Sequence, residues 1–144
     1  MTLRVLVLFT VLAAGPVFGA GSGSGRIFYL QHCAGCHQAD GSASPLSNIP
    51  ALKENTGYFL RSPEGRAYVV QVPGTSNSPL SDAEIASLLN WMIPAFSRDQ
   101  LPAGDFNPYS AEEVGRYRAH KPDDITQARA RVVKALQEQG SAIQ

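Results

Sequence analysis

The five residues Cys33-Ala34-Gly35-Cys36-His37 constrain this chain more than any others. Two cysteines spaced C-x-x-C, with a histidine directly after, form the attachment pattern for a c-type haem. The spacing has a physical basis. On one helical turn, two thiols three residues apart project to the same side. Each can then form a thioether to a porphyrin vinyl group. His37 follows and can direct its imidazole at the iron, the role of a histidine axial ligand. Ala34 and Gly35 are small enough to let the backbone lie against a flat macrocycle.

Three other readings compete for the same residues. A thioredoxin-like dithiol needs its C-x-x-C beside a βαβ pattern, and none flanks it here. A zinc site would draw on His32, Cys33, Cys36 and His37, but finger-type spacings put the second ligand pair a dozen or more residues away. A structural disulfide suits an exported chain, though so short a loop closes little chain.

Length, charge and the N-terminal stretch narrow the class. The chain has 144 residues, enough for one domain with a core. Residues 1–19 read as a signal peptide: Arg4 supplies the positive start, Val5 to Ala14 an apolar run, and small residues follow. Cleavage after Gly19 leaves Val17 and Gly19 at the small-residue positions; the alternative is an uncleaved anchor. Residues 20–25 read as a flexible Gly/Ser linker, which would tether the domain if the leader stayed in place. Without Arg4 the chain carries 11 basic and 12 acidic residues, and no basic block that would suit nucleic acid. The only two cysteines both lie in the motif, so a disulfide scaffold is not what stabilises the fold.

Downstream, Arg26 to about Cys36 reads as a helix with Ile27, Phe28, Tyr29 and Leu30 near its start. Asp40-Gly41 favours a turn, and residues 42–55 read as a loop. Ser62-Pro63-Glu64 has the marks of a helix start, with Pro73-Gly74 as its stop. Ser81-Asp-Ala-Glu84 is a capping box, and Ile85, Leu88, Leu89 and Met92 recur at helical spacing until Pro94. The chain is therefore expected to be all-α.

Helix, C-x-x-C-H, Asp-Gly turn and a capped last helix with an aromatic residue, Trp91, together resemble the class I c-type cytochromes. The resemblance covers residues 26–96 and implies one covalent haem c in a helical domain. It implies that a loop proline carbonyl orients the proximal histidine, a contact that tunes a metal ligand. Pro50 fits that position best, and Pro45 is the other candidate. It also implies that the helix after Ser62 walls one haem edge, where Arg66 or Tyr68 could meet a propionate; on its own merits Arg66 reads as a solvated side chain. Members attach haem outside the cytoplasm, which agrees with the leader.

The sequence departs from the family at the distal ligand. Members carry a methionine on the loop before the last helix, whereas Val72 to Leu80 holds none. Met92 lies inside the helix, where its spacing suits core packing. Asn77 or Ser76 could sit over the iron, and His32 precedes the motif on the proximal side. His120 reads as an exposed loop residue, and as a distal candidate if its segment folds back. A five-coordinate iron is the remaining option. Met/His ligation raises a haem potential, so a different sixth ligand should lower it.

Residues 97–144 extend beyond a minimal cytochrome. Ser110-Ala-Glu-Glu113 suggests a helix through Val114, Tyr117 and Arg118. Asp123 or Asp124 then caps a longer helix with the stripe Ile125, Ala128, Val132, Val133 and Leu136, closed by Gly140. That stripe is expected to pack on the haem domain.

Two functions follow. The first is a periplasmic electron carrier, or the electron-accepting subunit of a dehydrogenase, with a dehydrogenase or oxidase as redox partner. The second, motivated by the absent loop methionine, is a ligand-binding, sensor or peroxidase-like haem protein. An assembly factor using the thiols without haem is a third, weaker reading.

Overall fold

A computed structural model describes residues 22–45, 49–103 and 106–143. The leader, its cleavage site and the start of the Gly/Ser run lie outside these residues. All regular structure among the described residues is helical: α1 (Ser22–His32), α2 (Ala34–His37), α3 (Thr56–Phe59), α4 (Pro63–Gln71), α5 (Pro73–Ser76), α6 (Asp82–Ser97), a 3-10 turn (Arg98–Gln100), α7 (Ala111–Ala119) and α8 (Ile125–Glu138).

The helix starts follow from side chains that satisfy otherwise unpaired backbone N–H groups. Ser62 accepts from the Gly65 N–H at 3.0 Å, and Pro63 fills the first position, where a missing N–H costs nothing. Ser81 and Glu84 close a reciprocal box, with the Ser81 N–H donating to Glu84 at 2.7 Å. Ser110 caps α7, but only one half of its expected box forms. Asp124, rather than Asp123, caps α8 by accepting from Gln127.

The pairing of α1 with α6 is the most extensive helix contact in the molecule. Gly25 lets the two backbones touch: a Cβ there would lie 2.3 Å from the Ser87 carbonyl oxygen and 2.7 Å from the Trp91 Cβ. Ser24 and Ser87 share a hydroxyl–hydroxyl bond of 3.0 Å at the same crossing. Ser22–Gly25 is thus the first turn of α1, not linker. One turn further on, buried Tyr29 packs against Trp91 and Phe96 with centroids 5.6 and 5.0 Å away.

Pro94 does not end α6, which runs on to Ser97. An internal proline loses one backbone bond and costs about 3 kcal/mol. Continuing the helix places Phe96 edge-on against both Tyr29 and Trp91 and buries Ser97, whose hydroxyl accepts from the Gly57 N–H at 2.9 Å. That packing outweighs the proline.

The C-terminal segment from residue 106 to residue 143 is built into the same core. Val114, Val132, Leu136 and Ile143 belong to one hydrophobic cluster with Tyr29, Val70, Leu89 and Ile93. Asn90 of α6 clamps the backbone of Tyr109 at both its N–H and its carbonyl, at 2.7 and 2.9 Å. Arg66 of α4 forms a forked pair with Glu113 at 2.6 and 2.8 Å, donates to the Asn107 and Pro108 carbonyls, and lies 3.9 Å from the centre of the Tyr109 ring.

Candidate cofactor site

Cys33 ends α1 by donating its N–H to the Tyr29 carbonyl at 2.8 Å. The Cys36 and His37 N–H groups both turn back to the Cys33 carbonyl, at 3.1 and 3.0 Å. The motif is therefore a single tight turn, the geometry that sends both thiols to one side. At its exit the Tyr29 hydroxyl donates to the Gln38 carbonyl at 2.6 Å and to that of His37 at 3.2 Å. The α1–α6 aromatic cluster thus fixes where the motif lies.

The turn borders a cleft of about 420 Å³, within the ~300–1,000 Å³ typical of cofactor sites. His32, Cys33, Cys36, His37 and Pro50 form one part of its lining. Phe59, Tyr68, Val69 and Val72 form another, and Leu88, Leu89 and Met92 of α6 a third. The lining is predominantly apolar. A shallow polar depression bordered by Ser42, Lys53 and Glu54 adjoins it at Asn55 and lacks that character.

Electrostatics distinguish the readings of the motif. Burial, and then the neighbouring Cys36, push the Cys33 thiol up to about 11. A dithiol redox centre needs the opposite, a depressed thiol. The two sulfurs are not bridged, and among the described residues no three His, Cys, Asp or Glu side chains gather as a metal cluster. Burial lowers the pKa of His37, opposed by the Pro50 carbonyl. The neutral imidazole this favours is the form that binds a metal. His37 Nδ1 is buried without a partner at full hydrogen-bond geometry, and the Pro50 carbonyl is the backbone acceptor beside the ring.

The other candidate residues divide. Met92 is buried and lines the cleft; half-buried Tyr68 and exposed His32 line it too. His120 does not line it: the residue is exposed and its Nδ1 lies 2.8 Å from the Arg116 carbonyl oxygen. Val72 to Thr75 line the cleft, but Ser76 and Asn77 do not. Arg66 is committed to Glu113, so the guanidinium in the lining is instead that of Arg129, with Ile125 beside it on α8. Sequence reasoning places neither α8 residue at the site. The one signal for them is that α8 carries a narrow apolar stripe with basic neighbours.

Two thiols on one turn, an adjacent half-buried imidazole and an apolar cleft describe the site of a monohaem c-type cytochrome. No family profile matches the chain. It is 32% identical over 136 residues to a cytochrome c-552 of Thermus thermophilus, an alignment covering 82% of this chain and 88% of that protein. A second Thermus thermophilus cytochrome c-552 is 33% identical over 115 residues, covering 67% of this chain and 86% of the relative. The chain belongs to the c-type cytochrome family, and its cofactor is a single covalently bound haem c.

Proposed function

We propose that this protein is a periplasmic electron-transfer cytochrome, serving as a carrier or as the electron-accepting subunit of a dehydrogenase. Haem supplies a one-electron couple, and the chain supplies attachment, orientation and a dry wall. Cys33 and Cys36 carry the two thioethers, and His37 is the proximal iron ligand. Pro50 orients the imidazole through its carbonyl. The observation that carries this reading is that both thiols and the half-buried imidazole lie on one turn at the edge of one apolar cleft. Such a carrier needs few further specific residues, because electron transfer requires only a buried iron and a haem edge near the surface. Cys36 is exposed, which is consistent with an accessible edge.

The leader motivates periplasmic placement, and an uncleaved leader would add a membrane tether. Among the described residues no helix is long and apolar enough to cross a membrane. The partner is another redox protein, a dehydrogenase or an oxidase. Nothing in the charge pattern favours nucleic acid.

A second reading, a ligand-binding or peroxidase-like haem protein, is favoured by the loop from Val72 to Leu80, which offers no methionine. Met92 is then the distal candidate in the lining, while His120 would have to move to reach it. Two measurements separate the readings. The full chain, made in a host that matures c-type haem, should keep its colour after denaturation and extraction; a colourless product sinks both readings. Absorption spectra with and without CO, on wild type, Met92→Leu and His120→Ala, test the distal side. A six-coordinate spectrum indifferent to CO, lost only in Met92→Leu, supports the carrier with Met92 as ligand. Ready CO binding by the wild type favours the second reading.

A further inference from the structure

The segment Ser76–Leu80 follows directly from Val72, Pro73, Gly74 and Thr75, which line the cleft. The two pieces form one unit. The Asn77 N–H donates to the Pro73 carbonyl at 3.1 Å and the Ser78 N–H to that of Thr75 at 3.2 Å. Moving the segment therefore moves the cleft wall.

Arg118 of α7 holds that segment from outside. Its Nε donates to the Ser76 carbonyl at 3.3 Å, and Nη2 to the Ser76 and Ser78 carbonyls at 3.2 and 3.0 Å. Its Nη1 donates to the Leu80 carbonyl at 3.1 Å and to Asp82 at 2.7 Å. The rigid guanidinium fork thus grips three carbonyls of one short loop and the first residue of α6. The contact is only partly exposed, with the Arg118 side chain 23% accessible. Neighbouring contacts reinforce it: Lys121 Nζ donates to the Asn77 side chain at 2.7 Å, and Gln71 to the His120 carbonyl at 2.6 Å. The extension also reaches the cleft itself through Ile125 and Arg129.

We propose that Arg118 is a positioning residue that fixes the Val72–Thr75 wall of the haem cleft and so limits the entry of small neutral ligands. This rests on haem occupying the cleft. The extension then has a task at the site beyond added bulk. It braces from outside the short segment that continues from the Val72–Thr75 wall. Charge-assisted donors are the stronger kind of hydrogen bond, so removing them should favour local opening of the loop well below the cost of global unfolding.

The test uses the full-length, haem-loaded ferric protein with imidazole as the probe, following the haem absorption shift over time. Arg118→Gln removes the fork, Arg118→Lys keeps the charge without it, and Asp82→Asn leaves the carbonyl contacts in place. We expect imidazole to bind at least about tenfold faster in Arg118→Gln than in wild type, with Arg118→Lys between them and Asp82→Asn within about twofold of wild type. Should Arg118→Gln fail to fold, the ordering of the other two decides. A rate unchanged in the Arg118 variants, whatever happens to the melting temperature, overturns the proposal. So does Asp82→Asn matching Arg118→Lys. A wild type without covalent haem after denaturation would instead sink the reading beneath it.

Discussion

The Tyr29 hydroxyl donates to the Gln38 carbonyl at 2.6 Å, tying the core of the α1–α6 pair to the exit of the C-x-x-C-H turn. Gln38 sits at φ 55° and ψ 170°, a conformation that suits glycine and costs other residues about 1–3 kcal/mol. The bond therefore helps hold a strained exit that turns the chain away directly after His37. Tyr29→Phe should keep the aromatic packing, remove the donor and destabilise the protein by about 1–2 kcal/mol. Gln38→Gly should be tolerated or mildly stabilising. Chemical denaturation of the three proteins checks the opposite signs; equal loss in both variants would show that the exit is not strained.

Gly25→Ala tests the helix crossing. The added Cβ would collide with the Ser87 carbonyl and the Trp91 Cβ, neither of which is the free end of a flexible chain. Alanine favours helix over glycine by about 1 kcal/mol, so propensity alone predicts a gain. Overpacking costs typically 1–3 kcal/mol, and a contact of 2.3 Å against backbone puts this site at the upper end or beyond. We expect net destabilisation by about 2 kcal/mol or more. A raised denaturation midpoint would mean the helices can separate without loss.

These two positions show what sequence reasoning reaches. The motif, the capped starts at Ser62, Ser81 and Asp123 or Asp124 and the stripe on α8 are local patterns, set by residues within a few positions of one another. Gly25 reads as linker because glycine and serine composition looks alike in a tether and at a close helix crossing. Only the partner helix distinguishes them. Pro94 reads as a stop because the reward for continuing, Phe96 against Tyr29 and Trp91, depends on Tyr29, far away in the chain. The partner of Arg66 is hidden for the same reason. Glu113, which claims Arg66, is 47 residues away in sequence.

Glu113 links α7 to acid stability. Its hydrogen bonds from Arg66 hold its carboxyl below the usual range. A group depressed in the folded state adds stability above its unfolded value, about 4.3, and loses it as pH falls through the folded value. The wild type should therefore lose more stability than Glu113→Gln between pH 7 and pH 3. At neutral pH the substitution should cost about 1–3 kcal/mol, since Arg66 keeps its carbonyl partners but loses the fork. Urea midpoints at the two pH values check this; parallel losses would show that the pair does not report on acid unfolding.

Among the described residues lining the cleft, Arg129 is the one permanently charged side chain. Its charge is felt at the Tyr68 phenol, where it opposes the upward push of burial. A fixed positive charge beside a redox centre favours the form that has gained an electron. Arg129→Gln should therefore lower the reduction potential, and Arg129→Lys should largely preserve it. Arg129 is half-buried, so screening limits the effect to about 1 kcal/mol, or about 40 mV for one electron. The difference between the two variants should shrink as salt is raised from about 10 mM to about 1 M, as the screening length falls from about 30 Å to about 3 Å. Titrations of wild type and both variants at each salt concentration measure it. A potential unmoved in Arg129→Gln at low salt would place the guanidinium too far from the haem to matter, and would leave Arg129 with only a packing role on α8.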